Sequence, residues 1–255
     1  VRILLTNDDG IHAPGLMALY TELKRDFDLS VVAPESEMSA VGHAITLRSP
    51  LRIQEIVKDG AFFGYGVTGT PADCVKIAVQ ELMKSPPDMI LSGINLGANV
   101  GVNVLYSGTV SAATEGAFLG VRSAAISLDT RKDPDFSVAA SFSRKIIKLL
   151  AESELSNGIA LNVNVPAIPL ECIKGVAITR QGVGRFRERY EQRIDPRGNV
   201  YYWLTGETRV EHEREDSDAR ALAEGMIAVT PISFDLTCMK GIEVLRSRPL
   251  PDINL

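Results

Sequence analysis

Apolar residues along this chain fall into short unbroken runs that alternate with stretches of helical spacing. RILLT (2–6) is an apolar run that stops at NDDG, so it reads as a buried strand ending in a turn. Pro14 sits where a first helical residue loses nothing by lacking an N–H, and Leu16, Leu19, Leu23 and Phe27 follow at helical spacing. LSVVAP (29–34) reads as a second strand. Strand, helix and strand in this order are the pattern of a parallel βαβ unit.

The alternation continues. ITLRS (45–49), LRIQEIV (51–57) and FFGYGV (62–67) read as shorter strands. TPADCVKIAVQELM (70–83) reads as a helix, with Thr70 as N-cap, Pro71 at the first position and Asp73 three residues on. DMILSG (88–93), SAAISL (123–128) and IALNVNVP (159–166) read as buried strands. SGTVSAATEGAFLG (107–120) and FSVAASFSRKIIKLLAES (136–153) read as helices. The predicted fold class is therefore α/β, a three-layer sandwich around an open, mostly parallel sheet. After residue 173 the pattern changes. Residues 174–205 read as strands, with Arg185, Arg187 and Arg189 alternating with Phe186, Glu188 and Tyr190, then a DPRGN turn and VYYWL (200–204). This predicts a long β-hairpin with little core character. EHEREDSD (211–218) reads as a solvated acidic loop. A short helix over DARALAEG and a last strand over 226–233 complete the chain's predicted elements.

Composition narrows the function. The formal net charge of −5 argues against bulk affinity for nucleic acid or an anionic membrane. Residues 89–114 carry no charge, yet Asn95, Asn99, Asn103 and four glycines interrupt them, so they do not read as a membrane span. No signal peptide is evident in VRILLTNDDG, and Cys74, Cys172 and Cys238 form no CxxC pair. His12, His43 and His212 lack metal-ligand spacing. A cytoplasmic protein handling small molecules is expected.

Four segments carry candidate chemistry. Asn7-Asp8-Asp9-Gly10 ends the first strand, where open α/β sheets bind ligands. As plain turn chemistry it needs no ligand. As a site, its adjacent carboxylates repel, and a divalent cation relieves that. Hard oxygen donors select Mg²⁺, Mn²⁺ or Ca²⁺. Both side chains can face one ion only if the chain is already turning, which Gly10 permits. GINLGANVGVN (93–103) is either an irregular glycine loop or a source of neutral amide oxygens and N–H groups at Asn95 and Asn99. Ser107-Gly108-Thr109-Val110 is either an N-cap alone or an anion site at a helix N-terminus. In the loop 34–46, Ser36 or Ser39 could reach a metal and His43 could act on a phosphate or proton. Gly64, Gly66 and Gly69 match GxGxxG, but the preceding strand does not open a βαβ unit, so dinucleotide binding is not expected there.

ILLTNDDGIHAPG (3–15), GTPADCV (69–75), SGINLGANVG (92–101) and YSGTVSAATEG (106–116) together resemble the SurE family, and the likeness runs to VTPISFDLT (229–237). The resemblance implies a Rossmann-like core, a protruding hairpin and a C-terminal segment exchanged between subunits. Its implied division is a catalytic core over 1–175, with the 226–233 strand returning to it, and an arm and oligomerisation segment over 176–255. It implies one divalent cation, Mg²⁺ or Mn²⁺, held by Asp8, Asp9, Ser39 and Asn95. It implies removal of phosphate from nucleoside monophosphates, with some action on polyphosphate, in a homodimer or homotetramer. Asp8 and Asp9 are then the catalytic pair, and Asn99, Ser107, Gly108 and Thr109 bind the substrate phosphate. Ser-Gly is common in the family loop, whereas here Ala40 comes after Ser39. A nucleotide-sugar transferase and a non-enzymatic nucleotide sensor are the rival readings of the same residues.

Overall fold

A computed structural model of the chain describes residues 1–130, 132–155, 157–183, 186–208 and 214–248; the side chains of 186–188 and 207–208 are not described. The chain runs β1 (Arg2–Thr6), α1 (Pro14–Leu23), β2 (Asp28–Pro34), β3 (Ile53–Lys58), β4 (Ala61–Val67), α2 (Pro71–Ile77), β5 (Met89–Leu96), α3 (Gly108–Phe118), β6 (Arg122–Asp129), α4 (Ser137–Glu152) and β7 (Ile159–Pro166). It continues through β8 (Val176–Ile178), β9 (Phe186–Ile194), β10 (Val200–Thr208), α5 (Asp218–Ala223), β11 (Ile227–Ser233) and α6 (Met239–Arg246).

Nine strands form one sheet in the order β3-β4-β2-β1-β5-β6-β7-β11-β8. Strands β4, β2, β1, β5, β6 and β7 run parallel, while β3 and β11 pair antiparallel with β4 and β7. The central strands are buried on both faces, as parallel sheets covered by helices must be. Leu16, Leu19 and Leu23 of α1 are fully buried with Ile3, Leu5, Leu91 and the α4 residues Ile146 and Leu150. On the other face α2 packs on α3, and Leu4, Val32 and Ile90 meet Cys74 and Val75. Each such side chain contributes about 1.5–3 kcal/mol of gross burial free energy.

The chain moves outward from β1 in two directions. From β1 it passes through α1 to β2 on one side, and β5, on the other side of β1, leads away to β6 and β7. The carboxyl ends of β1 and β5 therefore flank the crevice where strand order reverses, the usual ligand position of such sheets.

Three expectations need correction. Residues 45–49 form no strand, because their polar groups are taken by α2: Thr46 donates its N–H and hydroxyl to Asp73. The helix over 70–83 keeps α-geometry only to Ile77 and widens into a π-turn over Ala78–Leu82. The acidic segment is not all solvated: residues 211–213 lie outside the described residues, but Ser217 and Asp218 have no exposed surface. One element was not anticipated, α6, which exposes Met239, Val244 and Leu245. β9 and β10 form a separate two-stranded hairpin, and Arg185 of the expected alternation lies outside the described residues.

Candidate active site

Gly10 turns the chain directly after β1 with φ of +98°, and Asn7 closes that turn by donating Nδ2 to the Gly10 carbonyl at 3.0 Å. The turn gives Asp8 and Asp9 different neighbours. Asp8 is buried and accepts a hydrogen bond from the Thr109 hydroxyl. Asp9 accepts the Leu96 N–H at 3.3 Å, at the end of β5. Burial pushes the Asp8 carboxyl up, against the Thr109 hydroxyl and the Gly108 and Thr109 N–H groups, which favour its ionised form. Burial also raises Asp9, and the neighbouring charge of Asp8 adds to it, bringing its pKa to about 6. Neither carboxylate has an ion-pair partner among the described residues.

Asn95 reaches this place through an irregularity in β5. Gly93 pairs with Ile126 and Asn95 with Ser127, so Ile94 is an extra residue that re-aims the strand end beyond it. The Asn95 Nδ2 donates to the Gly97 carbonyl at 2.7 Å, which leaves its Oδ1 as the uncommitted end. A third segment arrives from the loop after β2, where Met38 donates its N–H to the Asp8 carbonyl at 2.8 Å. Ser39 is next in the chain, exposed, its hydroxyl donating to Glu37 at 2.6 Å. Ala40 takes φ of +57°, the left-handed conformation that a glycine in this place would adopt freely.

The N-terminus of α3 closes the site. Ser107 caps it by accepting the Val110 N–H at 3.1 Å. A Cβ on Gly108 would stand 2.7 Å from the Asp8 Cβ and 3.0 Å from Asp8 Oδ2, so glycine leaves room for this carboxylate to seat on the helix end. The helix N-terminus thus already favours one anion, Asp8 itself. Asn99 is buried on another path: its Nδ2 donates to Ser127 Oγ at 2.9 Å, leaving one amide hydrogen free.

Of the residues singled out in the sequence, Asp8 meets Gly108 and Thr109, Asp9 meets the main chain of Leu96 next to Asn95, and Ser39 follows Met38, whose N–H bonds to the Asp8 carbonyl. His43 does not join them. Its Nε2 pairs with the buried Glu115 at 2.8 Å, its ring stacks on Phe118, and Lys76 holds the other Glu115 oxygen at 3.0 Å. Burial of Glu115 is outweighed by these two partners, so its pKa is lowered. Gly64 belongs to sheet packing, since a Cβ there would lie 2.4 Å from the Val31 carbonyl oxygen. Glu37 was not anticipated. Its charge adds a smaller upward push to Asp9, after burial and Asp8.

The donor chemistry fits a hard divalent cation. Two adjacent carboxylates have no ion-pair partner among the described residues, and the neighbouring segments offer a neutral amide oxygen at Asn95 and a serine hydroxyl at Ser39. Among the described residues no three His, Cys, Asp or Glu side chains cluster as a metal site, so the set depends on its neutral oxygens.

Residues 3–188 match the family model described as Survival protein SurE. The chain is 55% identical over 252 residues to the 5'-nucleotidase SurE of Syntrophus aciditrophicus (strain SB), covering 97% of this chain and 95% of that protein. It is 54% identical over 245 residues to the 5'-nucleotidase SurE of Syntrophobacter fumaroxidans, covering 96% and 98%. The crystal structure of the SurE protein from Aquifex aeolicus superposes with a TM-score of 0.82 at 41% identity, covering 96% of this chain and all of that one.

Proposed function

The chain belongs to the SurE family, and from that footing we propose that it is a metal-dependent phosphomonoesterase, a 5'-nucleotidase that hydrolyses nucleoside monophosphates to nucleoside and phosphate. The observation that carries this reading is the pair Asp8 and Asp9. Both are raised by burial, neither has an ion-pair partner among the described residues, and Asp8 rests on the glycine-lined end of α3. Such a pair is stable when a cation offsets its charge. Asp8, Asp9, Ser39 and Asn95 would hold that cation, Mg²⁺ or Mn²⁺. When bound it would neutralise the carboxylates and polarise a phosphoryl oxygen.

The protein's own groups supply the rest. Thr109 fixes one oxygen of Asp8, which orients the other. Leu96 holds Asp9 near the end of β5, where a carboxylate of raised pKa can take a proton from an attacking water. The Ser107 hydroxyl hydrogen and the free Asn99 amide hydrogen are the donors left for phosphate oxygens, whose charge must be stabilised as the ester bond breaks. The two aspartates are adjacent and not spaced as D-x-D, so we read the attack as direct, by water, without a phosphoenzyme.

We also read residues 1–175 with β11 as the catalytic core, and the β9–β10 hairpin and the segment from 234 onward as assembly elements of a homodimer or homotetramer. No helix among the described residues is long and apolar enough to cross a membrane, and a cytoplasmic location is part of this reading. The test is phosphate release from a panel of nucleoside monophosphates and polyphosphate with Mg²⁺, Mn²⁺ or EDTA. Release from a monophosphate, abolished by EDTA, supports the proposal. Binding without turnover would favour a sensor, and turnover of nucleotide sugars alone a transferase.

A further inference from the structure

The loop from Asn95 to Asn103 is held by buried side chains that the proposed reaction does not use. Asn164 on β7 meets the main chain of Asn99 as a strand partner would. The Asn99 N–H donates to Asn164 Oδ1 at 2.7 Å, and Asn164 Nδ2 donates back to the Asn99 carbonyl at 3.2 Å. A backbone N–H only donates and a carbonyl only accepts, so this pairing fixes which way the Asn164 amide lies. Asn162, two residues back on the same strand, gives its Nδ2 to the same carbonyl at 2.8 Å. Two residues along the loop, Gly101 is gripped again from a different part of the chain. Its N–H donates to Asp218 Oδ2 at 3.0 Å, and its carbonyl accepts Gln181 Nε2 at 2.8 Å. The other Asp218 oxygen takes the Gly182 N–H at 2.9 Å and that of Ala219 at 2.7 Å.

Asn162, Asn164 and Asp218 have no exposed surface. Burying such groups is costly unless each is hydrogen-bonded, and apolar residues would cover the sheet end more cheaply. Their common effect is to fix alternate residues of a loop whose Gly97 and Gly101 both take positive φ. Left free, that loop has wide backbone freedom.

We infer that Asn164, Asn162, Asp218 and Gln181 are positioning residues, which set the place of the Asn95–Asn103 loop over the sheet and so the place of Asn95 and Asn99 relative to Asp8 and Asp9. The inference rests on reading that loop as the binding loop of a phosphatase. It also makes residues after 175 part of the catalytic site's construction.

Two variants test it. Gln181→Ala removes one bond from a partly exposed side chain, so it leaves folding intact and decides the matter even if the second variant fails to fold. Asn164→Asp keeps an acceptor for the Asn99 N–H but sets an oxygen against the Asn99 carbonyl. Hydrogen exchange of the peptide covering 95–103 should quicken about tenfold in Asn164→Asp, the scale of one lost buried hydrogen bond, and less in Gln181→Ala. Exchange in β1 and β6 should not change. Turnover of a nucleoside monophosphate and of p-nitrophenyl phosphate should fall by the same factor, because both use the phosphate end. The ratio of Asn164→Asp to wild-type turnover should rise as pH falls, when the new carboxyl gains a proton and becomes a donor again. Wild-type loop exchange in both variants, or a loosened loop with unchanged turnover, would overturn the inference. If the wild-type protein releases no phosphate from either substrate, the phosphatase reading fails instead, and the exchange result still decides whether these residues hold the loop.

Discussion

Asp9 shows how a single residue of the proposed site can cost stability. Its carboxyl is raised to about 6 by burial and by Asp8, so the folded cation-free protein binds that proton more tightly than the unfolded chain. The stabilising effect of this proton is present at low pH and is lost as pH rises through about 6. Asp73 and Glu115 have lowered pKa values and act in the opposite sense, supporting the fold at neutral pH and losing that support in acid. Asp9→Asn should therefore stabilise the cation-free protein at about pH 8 by about 1 kcal/mol, discounted for partial exposure, and have little effect only at about pH 3, below the carboxyl's ordinary value. Thermal melts in EDTA at the two pH values check this. Added Mn²⁺ should raise the wild-type midpoint more at the higher pH, because protons compete for the same oxygens, and should do little for the variant. Asp8 and Asp9 were legible in the sequence because two adjacent acids at a strand end conflict with burial. Glu37 was not, since a loop acid gives no sign of where it will lie. Asn162 and Asn164 left a readable trace, two amides inside an apolar strand that must find partners, but their partner is main chain, which no residue letter encodes.

At the scale of elements, apolar periodicity and caps were enough to place β1, α1, β2 and the core strands. Thr70 and Asp73 form the reciprocal capping box that their spacing predicts, with bonds of 3.1 and 2.9 Å. The segment 45–49 misled because its alternating pattern suits a strand, whereas Asp73 captures Thr46 through tertiary contact. α6 escaped notice because none of its residues is buried among the described residues, so it adds no stripe to the core. The contact of α3 with Asp8, in the turn after β1, gives the element-scale prediction. Gly108→Ala would improve helix propensity, yet its methyl meets Asp8 and, at 3.1 Å, the Pro71 ring. The variant should lose about 1–3 kcal/mol of stability and at least about tenfold in Mn²⁺ affinity, since the displaced group is a proposed ligand. Chemical denaturation and metal titration of the same sample measure both. An unchanged midpoint with unchanged affinity would show that α3 does not seat Asp8.

The whole molecule places one crevice between β1 and β5 and builds it from distant parts of the chain. The sheet takes in β8 and β11 from beyond residue 175, and Gln181 and Asp218 reach the loop after β5. Outside the sheet, the β9–β10 hairpin exposes Tyr190, Ile194, Tyr202, Trp203 and Leu204, residue types typical of interface centres. Deleting 185–203 should lower the mass of the particle in light scattering and leave the β1–β5 crevice folded. An unchanged mass, with loss of single-stranded RNA binding instead, would mean that the aromatics stack on bases.

The central claim is that Asp8, Asp9 and Asn95 form one metal site that serves phosphate release. Calorimetric Mn²⁺ titration, run beside phosphate release from a nucleoside monophosphate, tests it in Asp8→Asn, Asp9→Asn and Asn95→Ala. All three should bind Mn²⁺ more weakly while keeping the fold, and turnover should fall with affinity and recover in part at high Mn²⁺ where the lost role is binding. Wild-type affinity together with wild-type turnover in both aspartate variants would contradict the site and the mechanism built on it.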